Sequence, residues 1–446
     1  MKATPSLVPV VFVALSFAAC GSGPDAASGS AIAGVLVVPG QSNGNGPSPN
    51  QTYIAAATPA AGGFAAWTAG DNCGGPSCGA SNYADLLGFA PATLDPVTLA
   101  SSATGNDGQG YGQEVASAPD GSIDWAGFAP VQPTPTCTSG FPGVALWTTA
   151  PGSAASAPSP APAPAVPIAT SFPLLSSSMC GTFPRFLVGL VADADAAYVA
   201  VAVVSQQSLQ NGNGPTSPDS PQWGNAINGG QMPPAHLPAM GSIYAVAAHS
   251  GDLTAPPPAV STTFDAAMLH TLVDAGSSLC WLDGSHVSCA PKGWATGPVP
   301  APTMLDRGTQ VPAHWTLVAI AAHGSTLAWA AAPDPSPGTT GCMIWTSQNG
   351  GAATPAYDGS QASFFCHGLA VDDAYVYVTM NAVPTGSGQV VGDGIARAPI
   401  AGGSLQTLPL QSQRWYGPRR VLVDDTYVYA VDPSYVVRVP KSAFGP

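Results

Sequence analysis

Asp372-Asp373-Ala374-Tyr375-Val376-Tyr377 and Asp424-Asp425-Thr426-Tyr427-Val428-Tyr429 are two copies of one phrase, 52 residues apart. Each is followed by a second shared phrase, Ile395-Ala396-Arg397-Ala398-Pro399 in one case and Val436-Val437-Arg438-Val439-Pro440 in the other. An Asp turn running into Tyr-x-Tyr alternation predicts a strand that opens on a tight turn and buries every second side chain. Around the first copy the chain reads as four short strands: A, Phe365 to Val371; B, Ala374 to Thr379; C, Gly394 to Pro399; and D, Leu405 to Leu410.

Outward from these phrases the same spacing recurs, a Gly or Asp followed five residues later by an aromatic. The pairs are Gly62/Trp67, Asp120/Trp125, Gly276/Trp281 and Gly324/Trp329 beside Asp372/Tyr377 and Asp424/Tyr429, and Asp195/Ala200 completes a series of seven. The intervals are 58, 75, 81, 48, 48 and 52 residues. Two residues before each aromatic place stand Ala65, Ile123, Tyr198, Leu279, Leu327, Tyr375 and Tyr427, on the same face of the predicted strand. A repeat of this size predicts an all-β chain forming a single β-propeller, with seven four-stranded blades. Six or eight blades are alternatives, six if the third unit is a long insertion; two sheets joined by the Ala/Pro run Ala154 to Pro167 are another. The last unit supplies A, B and C before the chain stops at Pro446. Ala31 to Pro39, with Val35-Leu36-Val37-Val38, is expected to supply its missing outer strand and close the ring.

The two phrases resemble the β-propeller repeats of exported bacterial lipoproteins, with an Asp-Asp-x-Tyr-Val-Tyr strand and a following Ile/Val-x-Arg-x-Pro strand. The match is close over the last two units and a matter of pattern elsewhere. The resemblance implies four antiparallel strands per repeat.

The N-terminus agrees with export. Lys2, an apolar run from Leu7 to Ala19 and then Cys20 read as a signal peptide over 1–19. The run is too short to span a bilayer, which takes roughly 20 residues. Phe17-Ala18-Ala19-Cys20 resembles the lipobox of bacterial lipoproteins, which implies a lipid on Cys20; Phe17 departs from the usual Leu. Residues 20–30 then form a tether and 31–446 the propeller. Gly21 and Ser22, with no Asp in second place, imply an outer-membrane address by the sorting pattern of well-studied envelopes.

Composition narrows the partners. Forty-eight Pro and 52 Gly would suit disorder, but 45% hydrophobic and only 8% charged residues favour collapse. A net charge of −14 with ten Lys plus Arg excludes nucleic acid, whose phosphates need basic side chains. The chain is expected to be a monomer, meeting the membrane through its anchor alone, with an envelope protein, small molecule or glycan as ligand.

Besides Cys20 there are eight cysteines. In an oxidising compartment they are expected to pair in sequence order, Cys73-Cys78, Cys137-Cys180, Cys280-Cys289 and Cys342-Cys366, pinning long loops to sheets. A metal site is disfavoured, and no cofactor is expected.

Alternating strands divide the connections between two faces. The B–C and D–A loops share one face, where B–C loops are long; the A–B and C–D turns share the other, expected to be tight in every unit. Strand A begins on the loop face, beside the central channel. There the sequence places Glu114, Arg185, His270, His314, His367, Arg419 and Arg420, and Glu114 is the single Glu of the chain. Such groups can hold an anion, and a His can act as general base. No zinc helix, phosphate loop or calcium loop is present. Asp193/Asp195, Asp372/Asp373 and Asp424/Asp425 fall at A–B turns, where Asp serves the turn itself. The expected function is a non-catalytic binding or scaffolding module; the alternative is a propeller hydrolase or lyase with a His at the channel mouth.

Overall fold

The computed structural model describes residues 34–37, 52–60, 63–70, 83–89, 96–101, 114–131, 141–149, 166–172, 185–203, 238–247, 257–265, 271–283, 286–305, 311–312, 314–333, 340–360, 362–382, 394–410, 420–431 and 435–445. Among these residues the strands form seven four-stranded antiparallel sheets. Sheet one holds β2 (Thr52–Ala60), β3 (Gly63–Gly70), β4 (Tyr83–Phe89) and β5 (Pro96–Ser101). Sheet two holds β6 (Glu114–Ser117), β7 (Ile123–Val131), β8 (Phe141–Thr148) and β9 (Val166–Phe172). Sheet three holds β10 (Arg185–Ala192), β11 (Ala196–Val203), β12 (Pro238–Ala247) and β13 (Ala259–Asp265). Sheet four holds β14 (Leu272–Ala275), β15 (Ser278–Asp283), β16 (His286–Pro291) and β17 (Thr303–Met304). Sheet five holds β18 (Trp315–His323), β19 (Thr326–Pro333), β20 (Cys342–Gln348) and β21 (Thr354–Gly359). Sheet six holds β22 (Phe364–Val371), β23 (Tyr375–Ala382), β24 (Gly394–Pro399) and β25 (Gln406–Pro409). Sheet seven joins β26 (Arg420–Val423), β27 (Tyr427–Val431) and β28 (Tyr435–Pro440) to β1 (Gly34–Val37), in the order β1-β28-β27-β26. The first strands meet in succession, β2 on β6, then β10, β14, β18, β22 and β26, and β26 returns to β2. An inner ring that closes on itself, with each sheet running outward from it, is a β-propeller.

Sheets three to six each bury both faces because each stands between two neighbours. Val188, Tyr198 and Ala200 of sheet three meet Leu272, Leu279 and Trp281 of sheet four. Cys280 and Leu282 on the other face of sheet four meet Leu327, Trp329 and Ala331 of sheet five. Ala328 and Ala330 then meet Val376 and Val378 of sheet six, and Tyr377 meets Val428 and Ala430 of sheet seven.

These contacts correct the reading of one aromatic column. Tyr198 and Tyr377 look forward to the following sheet, whereas Trp281 and Trp329 look back to the preceding one. The turns explain the difference. Gly276 (φ 76°) and Gly324 (φ 56°) are the first of the two residues between the pairs Ala275↔Ser278 and His323↔Thr326. Asp372 and Asp424 stand one place earlier, as the last residue before the turn, with their amides donating to Tyr375 O at 3.0 Å and Tyr427 O at 3.1 Å. Counting five residues from each start lands one register apart, and one residue of register exchanges the two faces of a strand.

The third unit is corrected in the same way. Asp193, not Asp195, is the equivalent of Asp372: its Oδ1 accepts the amides of Asp195 (2.9 Å) and Ala196 (2.8 Å). Asp372 Oδ1 accepts those of Ala374 (2.9 Å) and Tyr375 (2.8 Å), and Asp424 Oδ1 those of Thr426 and Tyr427, both at 2.7 Å. Five residues after Asp193 comes Tyr198, so the unit has its aromatic and Ala200 is an ordinary core residue.

A latch between neighbouring sheets recurs twice. After strand C of sheet seven, Pro440 is followed by Lys441, whose Nζ donates to Asp372 Oδ2 of sheet six at 2.6 Å; Phe444 then meets the Tyr377 ring edge-on at 6.0 Å. After strand C of sheet four, Pro291 is followed by Lys292, which lies 3.6 Å from Asp193 of sheet three. Trp294 then meets Tyr198 edge-on at 5.0 Å, and Gly293 N donates to the Tyr198 hydroxyl at 2.9 Å. Burial alone would raise the Asp372 carboxyl, but hydrogen bonds from Lys441, Ala374, Tyr375 and Tyr377 outweigh it and hold the group below its ordinary value. A carboxyl depressed in the folded state binds its proton more readily when unfolded. Its stabilising contribution is complete above about pH 4 and fades as pH falls through the lower folded value. Denaturant titrations of wild type and Asp372→Asn from pH 7 to pH 3 should therefore show a smaller acid loss in the variant; equal slopes would contradict the latch.

The turn face is not tight throughout, contrary to expectation. The C–D connections 149–165, 248–258 and 292–302 are long and rich in Pro just before strand D. Proline at the entry to an outer strand removes a donor from an exposed edge, which gives these runs a local purpose.

Candidate functional site

Every strand A starts on the loop face, so the residues that open β6, β10, β18, β22 and β26 share one rim of the inner ring. Glu114, first in β6, is 1% exposed. Arg420, first in β26, is half-buried; burial pushes its guanidinium down to about 10, while the charge of Glu114 works in the opposite direction. Arg420 therefore remains a cation at neutral pH, within electrostatic reach of a buried carboxylate. Between their strands stands β2. Taking both charges out of water costs several kcal/mol, by order of magnitude, and ion pairs in such settings contribute little to folding.

His314 and His367 lie farther round the same rim. His314, exposed, precedes Trp315 with φ 67°, a left-handed conformation uncommon outside glycine. His367 is half-buried in β22, where the register slips between Cys366 and Leu369; the adjacent Gly368 N donates to Thr379 Oγ1 at 2.7 Å. Bulges of this kind re-aim side chains. Arg185 opens β10 opposite Val203. His270 and Arg419 lie outside the described residues, as do Cys20 and the pairs Cys73-Cys78 and Cys137-Cys180.

The corner between sheets five and six is held firmly. Cys342 of β20 and Cys366 of β22 form a disulfide with Cα atoms 5.5 Å apart. Gly341 bridges to Phe365 in parallel, its amide donating to Phe364 O at 3.1 Å, and Thr340 Oγ1 donates to Ala362 O at 2.6 Å. A Cβ on Gly341 would stand 2.5 Å from the Trp315 ring, so the glycine admits the indole. Cys280 and Cys289 also form a disulfide, but as directly opposed residues of β15 and β16. It staples two paired strands of one sheet and pins no long loop.

Trp315, Phe364 and Phe365 are half-buried rim residues that the sequence reading passed over. A signal was available, because an aromatic adjoins an ionisable residue in Arg185-Phe186 and His314-Trp315, and Phe365 stands two before His367. Aromatic faces, a guanidinium, a carboxylate and imidazoles can together stack a ring and hold polar or anionic groups. On the turn face, Asp372 is engaged by Lys441 while Asp373, 98% exposed, lies 3.4 Å from His323, so this Asp pair works as turn and latch. Among the described residues no group of His, Cys, Asp and Glu is arranged to hold a metal ion.

No protein-family model matches the sequence, and no curated protein matches it. Solved structures of similar shape include the uncomplexed acylaminoacyl peptidase of Pyrococcus horikoshii, 8% identical, with a TM-score of 0.47 over 87% of this chain and 51% of the peptidase. This chain thus spans about half of that protein. The β-propeller domain of the Trilobed protease from Pyrococcus furiosus, described as having an open velcro topology, is 7% identical, with a TM-score of 0.42 over 88% of this chain and 92% of the domain. The GH93 α-L-arabinofuranosidase of Fusarium graminearum, complexed with arabinobiose, is 10% identical, with a TM-score of 0.39 over 79% and 95%. At these scores the fold rests on the strand order and ring contacts above.

Proposed function

We propose that this is an exported protein, lipid-anchored through Cys20 to the bacterial envelope and addressed to the outer membrane, whose seven sheets are the blades of one closed ring acting as a binding or scaffolding module. Its ligand site is the loop-face rim. The observation that carries this reading is the buried Glu114 within electrostatic reach of the half-buried Arg420, on the strands to either side of β2, a costly placement of opposite charges at the entrance of the inner ring. Its ligand chemistry follows from the rim: an anionic group for Arg420 and Arg185, a flat face for Trp315 and Phe365, and hydrogen-bond acceptors for His314 and His367. Small anionic glycans and acidic peptides fit this description.

The rim reading is tested by calorimetry with a panel of acidic and neutral oligosaccharides and peptides. Any acidic binder should lose about tenfold or more in affinity with Arg420→Ala, the effect of one charge-assisted hydrogen bond. It should keep its affinity with Lys292→Ala, on the other face. Equal loss in both variants would place the site elsewhere. Lipidation is tested separately, by metabolic labelling with a fatty acid in wild type and Cys20→Ser.

A second reading, a hydrolase or lyase, is favoured by the left-handed His314 at the rim, since strained residues collect where chemistry is done. Turnover of a panel member that His314→Ala or His367→Ala abolishes would establish it.

A further inference from the structure

Sheet seven is completed by a strand from the other end of the chain. We infer that the outer edge of β28 is an exchangeable strand-acceptor site, and that its occupant from outside the chain is β1 of a second copy. The inference does not depend on the ligand reading above.

β1 is four residues long and pairs only through Gly34↔Arg438, Val35↔Val437, Leu36↔Val436 and Val37↔Tyr435. In the other six sheets the outer strand follows strand C along the chain, whereas β1 is tied in from the opposite side, to β2, through residues 38–51. The remainder of sheet seven is fixed without it. β26 lies against β22 and β2. Beyond strand C, Lys441 holds Asp372, and Arg397 donates from Nη1 to Lys441 O at 3.3 Å and from Nη2 to Gly445 O at 2.6 Å. Phe444 covers Tyr377, and the Arg397 guanidinium lies 4.1 Å over the Tyr375 ring. This strap seats β26, β27 and β28 on sheet six through contacts in which β1 takes no part.

With β1 withdrawn, β28 presents a row of unpaired N–H and C=O groups on a rigid strand whose Val436, Val437 and Val439 are fully buried. Such an edge takes an extended, uncharged, β-branched segment by strand addition. Gly34-Val35-Leu36-Val37 has that chemistry and already defines the register. Because the same strand fills the same edge in every copy, reciprocal exchange between two copies needs no new interface.

Two measurements test this. In the first, a protease site is placed in the 38–51 connector and cut after folding, so that every residue is present but β1 is no longer tethered. A large excess of fluorescein-labelled peptide spanning residues 30–40 should then enter the folded protein, one per chain. A peptide with Pro at Val35 and Leu36 should enter roughly tenfold less, because it lacks a ladder donor. Retention of the original strand without uptake of label, or equal uptake of the two peptides, overturns exchange. In the second, full chains carrying Val35→Cys are mixed with full chains carrying Val437→Cys. A disulfide-linked pair joining position 35 of one to position 437 of the other should form in amounts that rise with protein concentration. Absence of that link at every concentration overturns the second copy as occupant.

Discussion

A chain carrying Gly189→Val is expected to lose about 3 kcal/mol of stability, at the upper end of what overpacking a tight site costs. A Cβ at residue 189 would stand 2.5 Å from Leu272 Cβ and 3.0 Å from the Leu272 backbone nitrogen. The surroundings cannot give way. β10 bulges between Leu187 and Gly189, and the carbonyl of Val188 inside that bulge accepts from Thr271 N at 2.8 Å and from Thr271 Oγ1 at 3.1 Å. Moving β14 away to admit a side chain would break both bonds and open the contact between sheets three and four. Denaturant unfolding of the purified variant measures the loss, and wild-type stability would show that the two inner strands do not approach this closely.

Asp372→Ala should cost about 3 kcal/mol, whereas Asp373→Ala, one residue on, should change stability by less than about 0.5 kcal/mol. The two carboxylates share a turn but not an environment. Asp372 has 18% of its side chain exposed and accepts from two amides, the Tyr377 hydroxyl at 2.9 Å and Lys441 at 2.6 Å. Removing it leaves the Lys441 ammonium, itself 21% exposed, without its partner and loosens the strap over Phe444. Asp373 is 98% exposed and faces His323 across water-accessible space. Equal effects from the two substitutions would mean that the latch contributes nothing and that turn formation alone matters.

The repeat was legible because its strongest phrases combine three independent signals: an Asp that satisfies two turn amides, alternation at period two, and a Pro that ends strand C. Where all three coincide, around residues 372–399, strand limits read from sequence fall within three residues of those observed. Where one signal stands alone, position slips. Asp193 and Asp195 are both turn residues, and choosing the second moved the unit by one full period of the strand, which kept the face but lost Tyr198. Treating Gly and Asp as one class hid that they occupy successive places in the turn, which exchanged the faces of Trp281 and Trp329 relative to Tyr377. Neither error is visible in composition, because both faces of sheets three to six, where the errors fall, are buried between neighbours and both read as apolar.

The rim was legible only as a set of strand starts. Ionisable residues entering strand A announced Glu114 and Arg420, since a charge at the head of an apolar strand is conspicuous. Trp315, Phe364 and Phe365 were hidden, because an aromatic beside a strand in this chain is ordinarily core. The latch was hidden more deeply: Lys441 follows strand C and finds its carboxylate 69 residues earlier, in the preceding sheet, while Lys292 donates to Asp274 of its own sheet at 3.0 Å and reaches Asp193, 99 residues earlier in the preceding sheet, at 3.6 Å. Once the ring is drawn, the shared Pro-Lys steps and the aromatic two or three residues later make the pattern plain.

The account stands on a ring in which the first described strand completes the last sheet. A full chain carrying both Val35→Cys and Val437→Cys, oxidised at low concentration and mapped by peptide mass spectrometry, tests this most directly. The account predicts a link between positions 35 and 437 within one chain, in a protein of monomer size that retains the Cys280-Cys289 and Cys342-Cys366 disulfides. A folded protein in which positions 35 and 437 stay unlinked, or pair with other cysteines instead, would contradict it.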